Sequence, residues 1–270
     1  MSTVLESIID GVREDLASRQ AKVSQSQLEK LIRDVSPALP AAENLRNSTF
    51  SVISEVKRSS PSKGHLADIT SPETLAKQYA EGEASVVSVL TEERRFSGSL
   101  ADLDIVRANI DIPILRKDFM VTEYQILESR AHGADVILLI VAGLDQVQLR
   151  DFNDVALGLG MSVLVEIHDE GELDRAMDIE PALLGVNARN LKTLDVDLAV
   201  CQRLIPMIPK EIVAVAESGI ATIDDVVMLS RGGADAILVG EALVRGGHPL
   251  ETVREWKHAG TEERNTDGVR

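Results

Sequence analysis

Short apolar runs alternate with amphipathic stretches along the chain from residue 50 onward. Each run is rich in Val, Ile and Leu, and its length suits a strand buried in a parallel sheet. The stretches between the runs carry apolar residues at helical spacing and leave room for one helix and two short loops. The pattern predicts eight strands, at 50–56, 84–90, 112–116, 134–140, 161–167, 182–187, 211–216 and 235–239.

Residues that mark helix boundaries fit the same register. Ser71-Pro72-Glu73 places an N-cap before a proline at the first helical position, and Thr122 and Thr222 are further candidate N-caps. Glycines stand where helices should end, at Gly133, Gly160 and Gly232. Eight strand–helix units predict an α/β fold, the (β/α)8 TIM barrel. A doubly wound open sheet is the alternative, but it would carry a glycine-rich fingerprint after the first strand, which 58–62 lacks.

An amphipathic segment precedes the first strand. Within 2–33 the apolar residues recur at the i, i+3, i+4 spacing of a helix, at Val4, Leu5, Ile8, Ile9, Val12 and Leu16. A second helical piece is predicted over 24–34, before a Pro/Ala/Asn segment at 36–48. We therefore predict a single domain over 1–270, made of an N-terminal helical extension (1–48), the barrel (49–258) and a flexible polar tail (259–270).

Composition and charge narrow the class of protein. The formal net charge of −16 argues against a nucleic-acid partner, which needs a basic surface. The single cysteine, Cys201, excludes an intrachain disulfide, and no Cys/His cluster has zinc-like spacing, so we expect no metal. The N-terminus does not resemble a signal peptide, and no apolar run is long enough for a membrane span. These features predict a cytoplasmic protein without a membrane partner, monomeric or, alternatively, a homodimer.

Ionisable and polar residues recur at the carboxyl ends of the predicted strands. In a (β/α)8 barrel those ends form the active site. The opposite ends of the strands carry few such residues. This concentration of ionisable groups at one end indicates a functional site rather than a structural role alone. The residues at the carboxyl ends are Glu55, Lys57, Thr91, Glu92, Arg116, Lys117, Asp118, Glu166, His168, Asn187, Arg189, Glu217, Ser218 and Glu241.

Lys117 and Glu166 are the strongest candidates for proton transfer. Lys117 ends a buried strand and precedes Phe119, and partial burial lowers the pKa of a lysine toward the range useful in catalysis. The alternative for Lys117 is an ordinary surface lysine. Glu166 ends another buried strand, where its alternative role is a structural ion pair. Glu55 and Lys57 stand two residues apart on the same side of an extended chain, and a pair between them is compatible with either a structural or a catalytic role.

Two glycine loops follow strands seven and eight, at 217–222 and 233–243. In many barrels these loops bind phosphate through backbone N–H groups and a helix N-terminus. The alternative is that the glycines only shape tight turns. Phe96 and Phe119 follow strands two and three and suit either loop packing or an aromatic ligand. His132 and His168 lack the partners of a catalytic triad or a metal site, and His168 is placed to orient a loop.

Taken together, the strand-end motifs resemble those of the indole-3-glycerol phosphate synthase family. The matching segments are 54–62, 88–92 with 96–99, 115–119, 164–169, 185–191, 216–220 and 239–241. The resemblance runs over about 2–258 and includes the N-terminal extension. The pattern varies at Ala188 and at Arg94-Arg95, neither of which is a candidate catalytic residue. The family closes an indole ring from 1-(2-carboxyphenylamino)-1-deoxyribulose 5-phosphate, releasing carbon dioxide and water in tryptophan biosynthesis, and needs no cofactor.

The resemblance implies a role for each matching residue. Lys117 would protonate the ribulose carbonyl, Glu166 would transfer protons in the later dehydration, and Lys57 would contact the substrate carboxylate or share the acid role. Glu55, Asn187 and Glu217 complete the catalytic set. The substrate-binding candidates are Ser60, Ser218, Gly219, Gly240, Glu241 and Arg189 at the polar end and Phe96, Phe119, Leu138 and Leu191 around the aromatic ring.

Three other functions are compatible with such a barrel. Phosphoribosylanthranilate isomerase is a phosphosugar barrel, but its family uses a cysteine base where this chain has Glu55. A Schiff-base aldolase would trap its substrate covalently on Lys57 or Lys117. A non-catalytic phospholigand-binding barrel would keep the glycine loops without needing Lys57, Lys117, Glu166 and Glu217, all of which are present.

Overall fold

Eight parallel strands close into a barrel in the computed structural model, which describes residues 3–60, 64–65 and 69–267. Each strand pairs with its neighbours in the chain, and the first strand also pairs with the last. The eight predicted strands and the (β/α)8 fold are therefore confirmed. The strands are β1 (Ser51–Val56), β2 (Val86–Leu90), β3 (Ile114–Lys117), β4 (Val136–Ile140), β5 (Ser162–Ile167), β6 (Leu183–Asn187), β7 (Val213–Glu217) and β8 (Ala236–Val239).

Alternate residues of each strand face the barrel interior and the surrounding helices. The two faces form separate apolar clusters, because successive side chains of a strand point to opposite sides. On β5, for example, Leu164 faces the interior, whereas Val163 and Val165 pack toward the helices. The next inward position after Leu164 is Glu166. The strand period that builds the core thus also aims the polar strand ends into the barrel mouth.

Helices flank the strands in sequence order. Their bounds are α1 (Val4–Gln20), α2 (Gln25–Asp34), α3 (Ala41–Arg46), α4 (Pro72–Glu81), α5 (Leu100–Arg107), α6 (Glu123–Ala131), α7 (Gln146–Gly158), α8 (Glu170–Met177), α9 (Ala199–Leu204), α10 (Ile223–Arg231), α11 (Glu241–Arg245) and α12 (Pro249–Asp267). The predicted N-caps Ser71, Thr122 and Thr222 each precede a helix. None of the helices in the described ranges is long and apolar enough to cross a membrane.

The glycines predicted at helix ends are found there, with one shift of position. Gly133 and Gly160 adopt positive φ values of 80° and 76°. Gly232 remains right-handed with a φ of −69°, and the next residue, Gly233, takes the left-handed conformation with a φ of 97°. The chain reverses there through Gly233, because glycine reaches positive φ without steric cost.

The N-terminal extension covers both the side and the bottom of the barrel. The helices predicted within 2–33 and 24–34 are confirmed as α1 and α2. The segment at 36–48, read from the sequence as a Pro/Ala/Asn connection, contains the further short helix α3. Ala41 and Leu45 of α3 are fully buried and join the apolar cluster inside the barrel. This helix therefore closes the end opposite the strand carboxyl termini.

The C-terminal segment is an ordered helix up to Asp267, so the prediction of a flexible tail from 259 is wrong for 259–267. Its polar residues have specific partners on the barrel. The Ser230 hydroxyl donates to the Gly260 carbonyl at 2.7 Å, and Arg264 pairs with Asp235 at 2.8 Å. These tertiary contacts hold a sequence whose polarity alone suggested fraying. Residues 268–270 lie outside the described ranges.

Gly260 is required by close packing against Phe50. A methyl group at Gly260 would lie 2.2 Å from Phe50 Cδ1, whereas one at Gly158 in α7 would meet no atom within 4 Å. We expect Gly260→Ala to lower the free energy of unfolding by about 1–3 kcal/mol through overpacking. Gly158→Ala, the matched control, should raise it by about 0.5–1 kcal/mol. Urea unfolding of the two variants measures both effects, and a Gly260→Ala protein as stable as the control would contradict the packing argument.

Candidate active site

A cavity of about 450 Å³ opens at the carboxyl end of the barrel strands. It brings together residues from all eight strands or the loops that follow them. The lining includes every predicted catalytic and substrate-binding residue except Ser60: Glu55, Lys57, Phe96, Lys117, Phe119, Leu138, Glu166, Asn187, Arg189, Leu191, Glu217, Ser218, Gly219, Gly240 and Glu241. Ser60 pairs with Gly64 in a two-residue antiparallel ladder near the mouth, and its side chain is outside what the structure describes.

The amine of Lys117 lies between two buried carboxylates at the centre of the cavity. Lys117 Nζ donates to Glu166 Oε2 at 3.2 Å and also to Glu217 Oε2. The Lys117 side chain is 13% exposed and each glutamate 2%, so the alternative of an ordinary surface lysine is wrong. Lys57 pairs with Glu55, as the two-residue spacing suggested. The site is thus a compact arrangement of two amines and three carboxylates.

The pKa of Lys117 is raised, which corrects the prediction that burial would lower it. Burial does oppose the charged form, but the negative charges of Glu217, Glu166 and Glu55 outweigh it. Lys117 is therefore an ammonium ion at neutral pH. An ammonium in a dry cavity is a proton donor aimed at whatever oxygen a substrate places beside it.

The two carboxylates on Lys117 differ in their affinity for a proton. Burial raises the pKa of both. For Glu166 this effect is overcome by Lys117 and His168, so its pKa is lowered below the ordinary range. For Glu217, burial and the negative charge of Glu166 outweigh the positive charge of Lys117, so the pKa of Glu217 is raised. Carboxyl groups with separated pKa values can take different roles in acid–base chemistry.

Gly185 makes room for the Glu217 carboxylate inside the barrel. A methyl group at this position on β6 would lie 2.0 Å from Glu217 Oε1. On the neighbouring strand end, Asn187 accepts the backbone N–H of Arg189 at 3.0 Å through its side-chain oxygen. Asn187 also hydrogen-bonds Glu166. The shape of β6 therefore sets the position of both glutamates.

A fully buried arginine fixes the turn that carries Lys117. The Arg116 side chain points away from the cavity and donates to Asp118 Oδ2 and to Glu128 Oε2, each at 3.0 Å. Asp118 in turn accepts the Phe119 N–H at 2.8 Å and the Thr91 hydroxyl at 2.6 Å. Because these contacts hold the backbone on both sides of Lys117, its amine is preorganised.

An apolar wall faces the two amines. The rings of Phe96 and Phe119 have centroids 6.1 Å apart and are tilted by 40°. Phe96 is positioned by buried Glu92, whose carboxylate accepts the N–H groups of three following residues at 2.7–3.1 Å. Leu138 and Leu191 complete the wall. These four side chains give the cavity an apolar face beside its charged groups.

The glycine loops after β7 and β8 also line the cavity. Ser218 and Gly219, after β7, both have positive φ, at 66° and 79°. Gly240 packs directly against the Glu55 side chain, with only 2.9 Å between its potential Cβ and Glu55 Oε2. Close approach of backbone to ligand is possible there because no side chain intervenes.

Sequence reasoning missed that α1 forms part of the cavity. Val4, Leu5 and Ile8 line its mouth, although their apolar stripe was read only as a packing face. Arg94, where the family pattern varies, holds α1 in place through contacts of 2.7–2.8 Å with Asp15 and Glu14. Gly11 leaves the space for this arginine, since a methyl group there would lie 3.0 Å from Arg94 Cδ. The apolar stripe of α1 is visible in the sequence, but only the fold shows that it lies at the mouth of the cavity.

The described ranges bear on two expectations from the sequence, about a metal-ligand cluster and about a cysteine base. They contain no group of three or more His, Cys, Asp or Glu side chains that could hold a metal ion. Cys201 lies on α9 outside the cavity, where its thiol donates to the Val186 carbonyl at 3.3 Å. Burial raises the pKa of the Cys201 thiol to about 12. It therefore cannot act as the cysteine base that the isomerase alternative requires.

Comparison with known proteins finds one enzyme family over nearly the whole chain. A family model described as indole-3-glycerol phosphate synthase matches residues 5–256. The chain is 54% identical over 258 residues to indole-3-glycerol phosphate synthase 1 of Streptomyces coelicolor, covering 96% of each protein. It is 53% identical over 264 residues to the indole-3-glycerol phosphate synthase of Paenarthrobacter aurescens, covering 96% of this chain and 97% of the relative. The chain belongs to the indole-3-glycerol phosphate synthase family.

A solved structure outside this family shares the fold. The thiamine phosphate pyrophosphorylase of Pyrococcus furiosus superposes with a TM-score of 0.61 at 15% identity, over 81% of this chain and 98% of the other. At that identity the similarity concerns the barrel alone. Membership in the indole-3-glycerol phosphate synthase family, a family of decarboxylating lyases in tryptophan biosynthesis, therefore rests on the sequence matches.

We expect Gly185→Ala to lower kcat of the enzyme about 100-fold, because a displaced Glu217 would misalign the Lys117 amine. The rate of fluorescent indole product formation measures the effect. Gly158→Ala, also a glycine replaced by alanine but in open space outside the site, should keep wild-type kcat. Equal rates in the two variants would show that the fit of Glu217 against Gly185 is not needed.

Arg94→Ala should raise KM roughly threefold with little change in kcat, because a loosened α1 weakens substrate enclosure rather than chemistry. For the same reason, added salt should raise the wild-type KM and have less effect on the variant. Arg231→Ala removes a comparably exposed ion pair with Glu263, far from the cavity mouth, and serves as the control. A fall in kcat without a change in KM would contradict a tethering role for Arg94.

Proposed function

We propose that Lys117 is the general acid of the ring closure by which indole-3-glycerol phosphate is formed in this cavity. The observation that carries the proposal is its ammonium group, which is buried between Glu166 and Glu217 and lines the cavity at the carboxyl end of the barrel. The substrate is 1-(2-carboxyphenylamino)-1-deoxyribulose 5-phosphate. As its aryl carbon attacks the ribulose carbonyl, Lys117 delivers a proton to the carbonyl oxygen and limits the negative charge that develops there.

The stoichiometry of the reaction requires more than one proton transfer. The carbonyl oxygen becomes a hydroxyl group and later leaves as water, so it takes up two protons in a turnover. Loss of carbon dioxide restores the aromatic ring without a base, whereas formation of the indole double bond requires removal of one proton. Glu166, whose lowered pKa keeps it ionised, is the base for that step. At 3.2 Å from Lys117 Nζ it can return the proton to the acid.

The remaining charged residues position the substrate. Lys57, held by Glu55, contacts the substrate carboxylate or shares the acid role. Asn187 and Glu217 orient Glu166 and Lys117. The aryl ring lies against Phe96, Phe119, Leu138 and Leu191, and the phosphate lies near Ser60, Ser218, Gly219 and Gly240, with Arg189 and Glu241 at the same end. Binding of the phosphate supplies energy for orientation at the reacting carbon.

We further propose that the enzyme acts in the cytoplasm as a monomer and needs no cofactor. The chemistry uses only protons, carbon dioxide and water, which supports the absence of an electron carrier. A homodimer is the alternative. Sedimentation of the purified protein distinguishes the two assemblies.

The first test compares product fluorescence of the wild type and Lys117→Ala after mixing with the substrate. We expect the wild type to form indole product and the variant to be slower by about 10²–10⁴-fold, the usual loss on removal of a general acid. Lys77→Ala, which removes an exposed lysine from α4, should behave as the wild type. Equal rates for Lys117→Ala and the wild type would move the acid role to Lys57.

Two other outcomes would identify the competing functions. Tight substrate binding by the wild type without product would favour a phospholigand-binding barrel. A mass adduct on Lys57 or Lys117 after borohydride treatment with substrate would favour Schiff-base chemistry. We expect product and no adduct, because the raised pKa of Lys117 leaves little free amine to attack a carbonyl.

A further inference from the structure

Glu166 contacts a second cationic group on the side away from Lys117. His168, one residue beyond β5, places Nε2 at 3.4 Å from Glu166 Oε1, whereas Lys117 is on Glu166 Oε2. The other ring nitrogen, Nδ1, lies 2.9 Å from Glu172 Oε2. The same carboxylate of Glu172 accepts the His168 backbone N–H at 2.8 Å. The imidazole is therefore hydrogen-bonded through Nδ1, while Nε2 is buried, makes no hydrogen bond with any described residue and faces Glu166 at ion-pair distance; the side chain is only 13% exposed.

This contact distinguishes two carboxylates that are otherwise alike. Glu166 and Glu217 both contact Lys117 Nζ, and both side chains are 2% exposed. Two like charges so close in a dry site compete for one cation, and the less stabilised one takes up a proton more readily. Glu217 Oε1 is buried and makes no hydrogen bond with any described residue, whereas the equivalent oxygen of Glu166 faces His168.

We propose that His168 is a positioning residue that selects Glu166, rather than Glu217, as the ionised base of the reaction. The proposal rests on the function proposed above and adds the residue that determines which of the two glutamates serves as the base. His168 does not contact the main cavity and acts only through Glu166. In its absence Lys117 would be the one cation shared by both carboxylates, with Asn187 as the remaining hydrogen-bond partner of Glu166, and a proton would be shared more evenly between the two glutamates.

The surroundings of His168 favour its charged form. Burial lowers the pKa of an imidazole, but hydrogen bonds and charge from Glu166 and Glu172 reverse the effect and raise the pKa of His168 to about 10. Acidic groups outnumber basic ones around the adjacent second cavity. The charged groups lining it are Glu6, Asp10 and Arg13 of α1, Asp169 and Glu172 after β5, Arg189, Lys192, Asp195 and Asp197 after β6, and Arg203 of α9.

Removal of the imidazolium should move the acidic limb of the pH profile. In the wild type Glu166 stays ionised as the pH falls, because its folded-state pKa is lowered. In His168→Gln this pKa rises, so activity should be lost at a pH higher by about one unit or more. On the acidic limb the variant should be about tenfold slower than the wild type, and the difference should narrow as the pH increases.

The experiment measures kcat and kcat/KM for wild type, His168→Gln and Glu172→Gln from the lowest pH at which each protein stays folded up to about pH 9. Glu172→Gln keeps the imidazole and removes the carboxylate behind it, so it should shift the limb in the same direction by less. This second variant decides the matter if His168→Gln does not fold. His258→Gln is the matched control, since it removes an exposed histidine from an i,i+4 pair with Glu262, at 3.1 Å, on the outer helix α12.

A uniform fall in kcat at every pH, with the acidic limb unchanged in both variants, would overturn the selection of Glu166 and leave His168 a structural residue. That result would leave the proposed function intact, because the wild type would still form product. A wild type that forms no product at any pH would instead overturn the function, and the assignment of the base with it. The two failures are therefore distinguishable.

Discussion

The shared contact of Lys117 with Glu166 and Glu217 is the constraint on which the site depends. Isolated charges at the end of a buried strand are costly, and each of these three residues is tolerated because the others compensate it. The compensation requires strands β3, β5 and β7 to end at one level around the barrel, which the parallel register provides. The same contact reverses the expected effect of burial, keeping an acid protonated in a cavity that would otherwise favour a neutral amine.

Much of the remaining structure serves to hold this arrangement still. Arg116 fixes the turn around Lys117 from outside the barrel, and Gly185 provides the space that Glu217 occupies inside it. At the far end, Leu45 of α3 fills the barrel bottom, so the interior is packed below the charges. The core therefore presents the reactive groups at its open end, with a preorganised geometry that water or a flexible loop would not supply.

The sequence predicted those features that follow from local periodicity. The alternation of inward and outward residues along each strand placed Glu55, Lys117 and Glu166 at the mouth of the barrel. Helix-capping residues indicated where the helices between the strands begin and end. The predictions that were wrong concern features set by contacts between residues that are distant in the sequence. The raised pKa of Lys117 requires three carboxylates from other strands, and the ordering of 259–267 requires Ser230 and Asp235. The stripe of α1 was visible in the sequence, but only the tether through Arg94 shows that it closes the active site.

The difference between Glu166 and Glu217 shows how a barrel can assign roles to similar residues. Both occupy strand ends, both are buried, and both contact the same amine, so neither strand position nor burial shows which glutamate is the base. The distinction comes from the next layer, where His168 follows one glutamate and a glycine on the neighbouring strand faces the other. Because His168 lies in the loop after β5, it can change while the barrel core stays the same. The protonation states of the cavity are thus set partly by residues that never contact the substrate.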